Sequence, residues 1–188
     1  MYGLVNKAVE DLVVTKFGEP TWEAIRAKAG VEVEAFVSMG AYDDSVTYKL
    51  VGAASEVLGI PASAVLETFG EHWVLFTAQE GYGQFLDMAG DTFPTFLQAL
   101  DAMHARVATS LKNLKPPSFW CTDVTSDSLV LHYKSHREGL ASLIVGLLRG
   151  LGKRFDTAVE TFHVPRADGV DHETFQVKFC KVDTLGHA

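Results

Sequence analysis

Long apolar runs are missing from this 188-residue sequence. None approaches the roughly 18 residues a helix needs to cross a bilayer, so a helical membrane protein is not expected. The opening stretch, Met1-Tyr2-Gly3-Leu4-Val5-Asn6-Lys7-Ala8-Val9-Glu10, has neither the basic region nor the apolar block of a signal peptide. A cytoplasmic location is therefore expected. Cysteine is scarce: Cys121 and Cys180 form no metal-binding pattern, and a reducing compartment would leave both as thiols. Positive charge is also in deficit, with 16 Lys and Arg against 24 Asp and Glu for a net charge of -8. That balance argues against broad nucleic-acid binding, which relies on cations to neutralise phosphates. Repeats, linkers and low-complexity stretches are absent as well. A composition that is 47% hydrophobic and 21% charged suits one domain with a real core.

Two patterns divide the chain. Val5, Ala8, Val9, Leu12 and Val13 recur at helical spacing until Gly18-Glu19-Pro20. Thr21 is expected to cap a short helix that Gly30 closes. Asp44 starts another, running through Tyr48, Leu50, Val51 and Ala54 to Gly59, and Pro61 suits the first turn of the next, with Val65, Leu66, Phe69, Trp73 and Phe76. Asp91 or Thr92, with Pro94 just inside, opens a longer helix to about Leu111. Pro116-Pro117 then breaks the pattern. Ser118 to Asp123 and Leu129 to Ser135 read as a hairpin around Thr125-Ser126-Asp127. Gly139 to Arg154 returns to helix, and strands are expected near Ala158 to Val164 and Thr174 to Val182, joined by the turn Ala167-Asp168-Gly169. Helices first, then four antiparallel strands with one inserted helix, predict an α+β fold in a single domain.

His104 lies in the helical pattern on a face shared with Leu97, Leu100, Val107, Ala108 and Leu111. An imidazole directed into a core needs a partner for its ring nitrogens. One reading is a core histidine bonded to a backbone carbonyl. The other is an axial ligand to haem iron, with the apolar macrocycle filling the space the helix face lines.

Further on, Tyr133-Lys134-Ser135-His136-Arg137 places Tyr133, Ser135 and Arg137 on one side of an extended chain. Two hydroxyls and a guanidinium fork suit one or two carboxylates, and haem presents two propionates. A solvated strand end is the alternative for the segment by itself. Its combination with a histidine on an apolar helix face about thirty residues earlier is far rarer.

With these features the sequence resembles the H-NOX domain, the haem module of bacterial gas sensors and of soluble guanylate cyclase, and is similar to its cyanobacterial members. The resemblance runs from Met1 to about Val182. It includes Met1 to Asn6, Leu50 to Gly59, Leu100 to Val107, Pro116-Pro117 and Tyr133 to Arg137. It implies one domain over 1–188: a helical N-terminal subdomain (1–60) packed on a haem-bearing part (61–188) with the four-stranded sheet. It implies haem b (iron protoporphyrin IX) as cofactor, with His104 as the proximal iron ligand and Tyr133, Ser135 and Arg137 holding the propionates. Pro117 would press on the macrocycle, while Val5, Trp73 and Leu143 would lie around the distal face. Trp73 and Leu143 also fit helix stripes that any fold would bury.

Oxygen-binding members of the family carry a distal tyrosine after the propionate motif; Glu138 to Val145 holds none, and Leu143 stands at the aligned position. The expectation is therefore a non-enzymatic sensor of NO that also binds CO and excludes O2. NO is expected to weaken the tether between iron and His104, shifting the N-terminal helices. With no output domain after Ala188, the signal is expected to pass to a separate histidine kinase or cyclic-nucleotide signalling enzyme. One rival is a haem peroxidase-like enzyme, for which His72 is the sole distal base candidate and no arginine partner is evident. A second is a non-haem module for an apolar ligand. His132 and His136, with His163 or His172, form a third candidate as a metal site, but no cysteine or carboxylate completes a set and zinc is not predicted.

Overall fold

The computed structural model describes residues 1–77, 80, 83–110 and 114–182. Helices dominate the first part: α1 (Gly3–Phe17), α2 (Glu19–Ala29), α3 (Asp44–Leu58), α4 (Ala62–Thr77), the short α5 (Gly83–Asp87) and α6 (Phe93–Ser110). Strands β1 (Ser118–Thr122) and β2 (Ser128–Lys134) follow, then α7 (Ala141–Arg154), β3 (Thr157–Val164) and β4 (Glu173–Lys181). This is the expected α+β order, with α5 the addition that no periodicity announced.

The helix boundaries follow local chemistry. Gly18, at φ 83°, ends α1 and is at once the N-cap of α2. The expected cap Thr21 is instead inside α2, where its hydroxyl donates to the Phe17 carbonyl at 2.9 Å. Pro20 in the first turn needs no N–H partner, which lets the helix begin before Thr21. Gly30 closes α2 at φ 62° in the left-handed region, where a glycine carries no Cβ penalty. Asp44 is the first residue of α3, but the capping carboxylate belongs to Asp43, whose Oδ1 accepts from the Ser45 N–H at 2.8 Å. Of the two candidates before α6, Thr92 provides the turn contacts, with its hydroxyl 2.7 Å from that of Thr95. The expected end of that helix at Leu111 lies outside the described residues.

The sheet has the order β1-β2-β4-β3, all neighbours antiparallel. Leu129, Leu131 and Tyr133 of β2 and Phe175, Val177 and Phe179 of β4 face inward and are buried. They form a core with Phe93, Phe96 and Leu97 of α6 and Ile144, Leu148 and Leu151 of α7. A second buried cluster joins Ala8, Val9 and Leu12 of α1 to Trp22 and Ile25 of α2, Leu50 and Ala54 of α3, and Phe69 of α4. Inside it the Thr47 hydroxyl donates to Asn6 Oδ1 at 2.6 Å, tying α3 to α1.

Helices α4 and α7 pack backbone against backbone. A Cβ at Gly146 would sit 2.0 Å from the Glu67 carbonyl oxygen, and one at Gly70 would sit 2.3 Å from that of Leu143. Ion pairs flank this seam, Arg149 to Glu67 at 3.0 Å and Lys153 to Glu71 at 2.5 Å. Among the described residues no single helix is long and apolar enough to cross a membrane.

Candidate functional site

Between the two clusters lies a cavity of about 640 Å³. That is within the usual range of roughly 300–1,000 Å³ for sites that enclose a small molecule or cofactor. Its walls come from α1, α3, α4, α6, α7 and the sheet. Every residue the sequence singled out for the site lines it: Val5, Trp73, His104, Pro117, Tyr133, Ser135, Arg137 and Leu143.

His104 reaches the cavity because α6 is locked against β1. Asp101 Oδ1 accepts the Phe119 N–H at 3.1 Å. One turn on, the His104 ring lies beside Phe119, centroids 5.6 Å apart, and Phe119 in turn meets Tyr133 at 5.2 Å. The backbone-carbonyl partner that a core histidine would require is not there: His104 Nδ1 is buried with no hydrogen-bond partner among the described residues. Such an unpaired group costs about 1–3 kcal/mol, so His104 is not a core histidine satisfied by a backbone hydrogen bond, and its ring lines the cavity. Burial pushes the His104 pKa down from its ordinary value, against an opposing effect of Asp101. The imidazole is therefore neutral at neutral pH, the form that ligates a metal.

The donor fan is assembled differently from the simple strand alternation expected. Strand β2 stops at Lys134. Beyond it the chain turns, with the Arg137 N–H donating to Ser135 Oγ at 3.1 Å, and this turn brings Ser135 and Arg137 to the rim beside Tyr133. Burial raises the Tyr133 hydroxyl pKa, opposed by Ser135 and Arg137, so it is a protonated donor. Arg137 grips a carboxylate: its Nε donates to Asp44 Oδ2 at 2.7 Å and its Nη1 to the Lys115 carbonyl at 3.3 Å. Asp44 also pairs with the α-ammonium of Met1, which donates to the Tyr42 carbonyl at 2.6 Å. Burial would raise the Asp44 pKa, but the hydrogen bonds from Met1 and Arg137 outweigh it and hold the carboxyl below its usual range.

The remaining histidines separate. His136 lines the cavity edge, whereas His132, expected to share its face on a strand, stays on the outer side of the sheet because β2 ends between them. His163 bonds Glu173 at 2.8 Å. His72 Nε2 lies 2.8 Å from Asp11 Oδ2, away from the cavity. Among the described residues no set of three or more His, Cys, Asp or Glu side chains is placed to hold a metal ion.

Sequence reading did not anticipate Asp44, Phe69, Met103 or Phe119 as cavity residues. The hairpin register, which opposes Phe119 to Tyr133, would have found Phe119. Nothing local marks Asp44, whose partner Arg137 is 93 residues away.

The residues fit a haem. The walls are apolar, one buried imidazole nitrogen lacks a partner, and two hydroxyls stand at the rim with a guanidinium that already holds one carboxylate, that of Asp44. Comparison with known proteins points the same way. The Haem-NO-binding family matches residues 2–163. The soluble guanylate cyclase gcy-31 of Caenorhabditis elegans is 27% identical over 186 residues, covering 97% of this chain and 26% of that protein. The soluble guanylate cyclase gcy-35 of the same organism is 31% identical over 166 residues, covering 85% of this chain and 24% of that protein. This chain thus spans about a quarter of the length of these relatives. Its fold matches the crystal structure of an H-NOX protein from S. oneidensis in the Fe(II)NO ligation state, with a TM-score of 0.86 at 22% identity, covering 96% of this chain and 100% of that one. By sequence match over most of its length, and with the fold and cavity to go with it, the chain belongs to the Haem-NO-binding (H-NOX) family.

Proposed function

We propose that this domain is a sensor of NO that also takes CO and excludes O2, using a single haem b. When bound, the haem supplies a ferrous iron to which diatomic gases add. The observation that carries the reading is the pairing, across one apolar cavity, of an unpartnered imidazole on α6 with the Tyr133, Ser135 and Arg137 donors. In this reading His104 is the sole protein ligand and Tyr133, Ser135 and Arg137 hold the propionates. Pro117 presses on the macrocycle, and Val5, Trp73 and Leu143 surround the gas site.

O2 binding gains more than NO or CO from a hydrogen-bond donor beside the ligand. Helices α4 and α7 turn Phe69, Trp73, Leu143, Ile144 and Leu147 to the cavity. The Thr77 hydroxyl, also on this side, is bonded to the Trp73 carbonyl at 2.7 Å. The Trp73 indole N–H is the donor in this lining and its bulk limits access to the gas site, which supports O2 exclusion, and His72, held beside Asp11, is badly placed as a peroxidase base.

The domain carries no catalysis of its own in this reading and acts in the cytoplasm on a histidine kinase or cyclic-nucleotide signalling enzyme. The Asp44–Arg137 ion pair links α3 to the rim of the cavity, so a change there reaches the helices of residues 1–60 and shifts them against 61–188.

The test is the visible spectrum of the reduced, purified protein under argon, then air, then NO. A ferrous haem spectrum that air leaves alone and NO converts is expected, with haem retention lost in His104→Gly and restored by free imidazole. A stable change in air overturns the O2 assignment. Failure to hold haem after reconstitution removes the reading and favours a module for another apolar ligand.

A further inference from the structure

Outside the cavity, on the open face of the sheet, two imidazoles are arranged in a way that the haem site does not explain. His132 on β2 and His172, just before β4, approach with His132 Nδ1 and His172 Nε2 at 3.2 Å. Each ring is also held from its far side. His132 Nε2 is 2.9 Å from Thr122 Oγ1, and His172 Nδ1 is 3.5 Å from Asp171 Oδ1. Trp120 of β1 stacks on the His132 ring at 5.0 Å with the planes 8° apart, fixing its orientation.

We propose that His132 and His172 form a surface site for a borderline divalent cation such as Zn2+, bound between His132 Nδ1 and His172 Nε2. Two nitrogens each roughly 2.0–2.1 Å from a tetrahedral zinc stand about 3.3 Å apart, so the observed spacing matches that of two zinc ligands, and rotation of the rings turns both lone pairs to the ion. The outer contacts are those of ligand histidines, whose second nitrogen ordinarily engages a hydroxyl, carbonyl or carboxylate that fixes the tautomer. The cation-free state has a consistent proton order. The Thr122 hydroxyl donates to Asp123 Oδ2 at 3.2 Å and accepts from His132 Nε2–H, and His132 Nδ1 accepts from His172 Nε2–H. On binding, the cation replaces the proton between the rings. His172 shifts to the tautomer with Nδ1 protonated on the side of Asp171, His132 keeps its tautomer, and no net proton is released from neutral rings. Four of the six waters of the hydrated ion leave, the two nitrogens enter, and the two remaining waters complete the tetrahedron.

The surroundings favour a neutral, ligating His132. Burial, then the charge of His172, pushes the His132 pKa below its ordinary value, with Asp123 opposing. Asp171, which also pairs with Lys134, contributes the nearby negative charge. Because His132 precedes Tyr133 on β2, the ion would clamp the outer side of the strand whose inner side lines the haem cavity.

The experiment is isothermal titration of zinc chloride into the full chain as purified at pH 7.5, with His132→Gln, His172→Gln and His163→Gln variants. One zinc per chain is expected for the parent and for His163→Gln, with apparent affinity falling by about tenfold or more in the other two, and by a smaller factor in Asp171→Asn. Absence of binding at millimolar zinc overturns the site. So does binding that survives substitution of both His132 and His172, or that vanishes with His163→Gln. None of these outcomes depends on haem or gas binding.

Discussion

Replacing Gly146 by alanine tests whether the separation of α4 and α7 is set by bare backbone contact. The added Cβ would lie 2.0 Å from the Glu67 carbonyl oxygen, 2.7 Å from its carbon and 2.9 Å from its Cα. Close carbon–oxygen contacts in proteins sit near 3.3–3.6 Å, so the helices must part by about an ångström, and no side-chain rotation relieves a clash with backbone. Overpacking of this kind costs about 1–3 kcal/mol or more, against roughly 1 kcal/mol gained from the better helix former. A 2.0 Å approach to backbone puts the cost at the upper end, about 3 kcal/mol, and the net loss of about 2 kcal/mol lowers Tm by about 4–8 °C in a domain of this size. Gly52, interior to α3 with nothing within 4 Å of its Cβ position, is the internal control. There alanine adds only helix propensity and is expected to raise Tm by about 2–4 °C. Thermal denaturation followed by circular dichroism reads both. If Gly146→Ala left Tm unchanged or raised it as Gly52→Ala does, the seam would not be holding the helices at contact distance.

Two further outcomes follow from the electrostatics. Burial pushes the Cys121 thiol up to about 11, whereas Cys180 is exposed. At pH 8 only about one Cys121 in a thousand would be thiolate, so a maleimide should label Cys180 first, and Cys180→Ser should remove the fast phase. Equal rates for both thiols would contradict the buried environment of β1. Asp44 is ionised more readily folded than unfolded, so its contribution is present above the ordinary value near 3.8 and is lost as pH falls through the lower folded value. Asp44→Asn is expected to lower Tm at pH 7 and to converge with the parent below about pH 4. A constant Tm difference from pH 7 to pH 3 would remove the ion pair as its source.

Much of this protein was written in local pattern. Apolar spacing marked α1, α3, α4, α6 and α7, and glycines at 18, 30 and 59 marked helix ends, because helix periodicity and left-handed backbone are properties of a few consecutive residues. The hairpin and its turn were equally local. His104 and the Tyr133, Ser135 and Arg137 set were legible because each combines a residue type with a face, and the family resemblance joined them. What sequence could not supply was anything requiring distant backbone to meet. Thr21 looked like a cap, yet Pro20 and Gly18 started the helix earlier. Ser135 and Arg137 looked like strand residues, yet a turn after Lys134 aims them at the cavity. The Asp44–Arg137 pair spans 93 positions, and the Gly146–Glu67 approach joins helices separated by the whole of α5, α6 and the first hairpin. The histidines make the same point. Spacing of four suggested His132 with His136, but the end of β2 parts them and the β2–β4 register brings His132 to His172 instead, forty residues on. Periodicity decides which way a side chain faces along its own element; only the packing of elements decides what it faces.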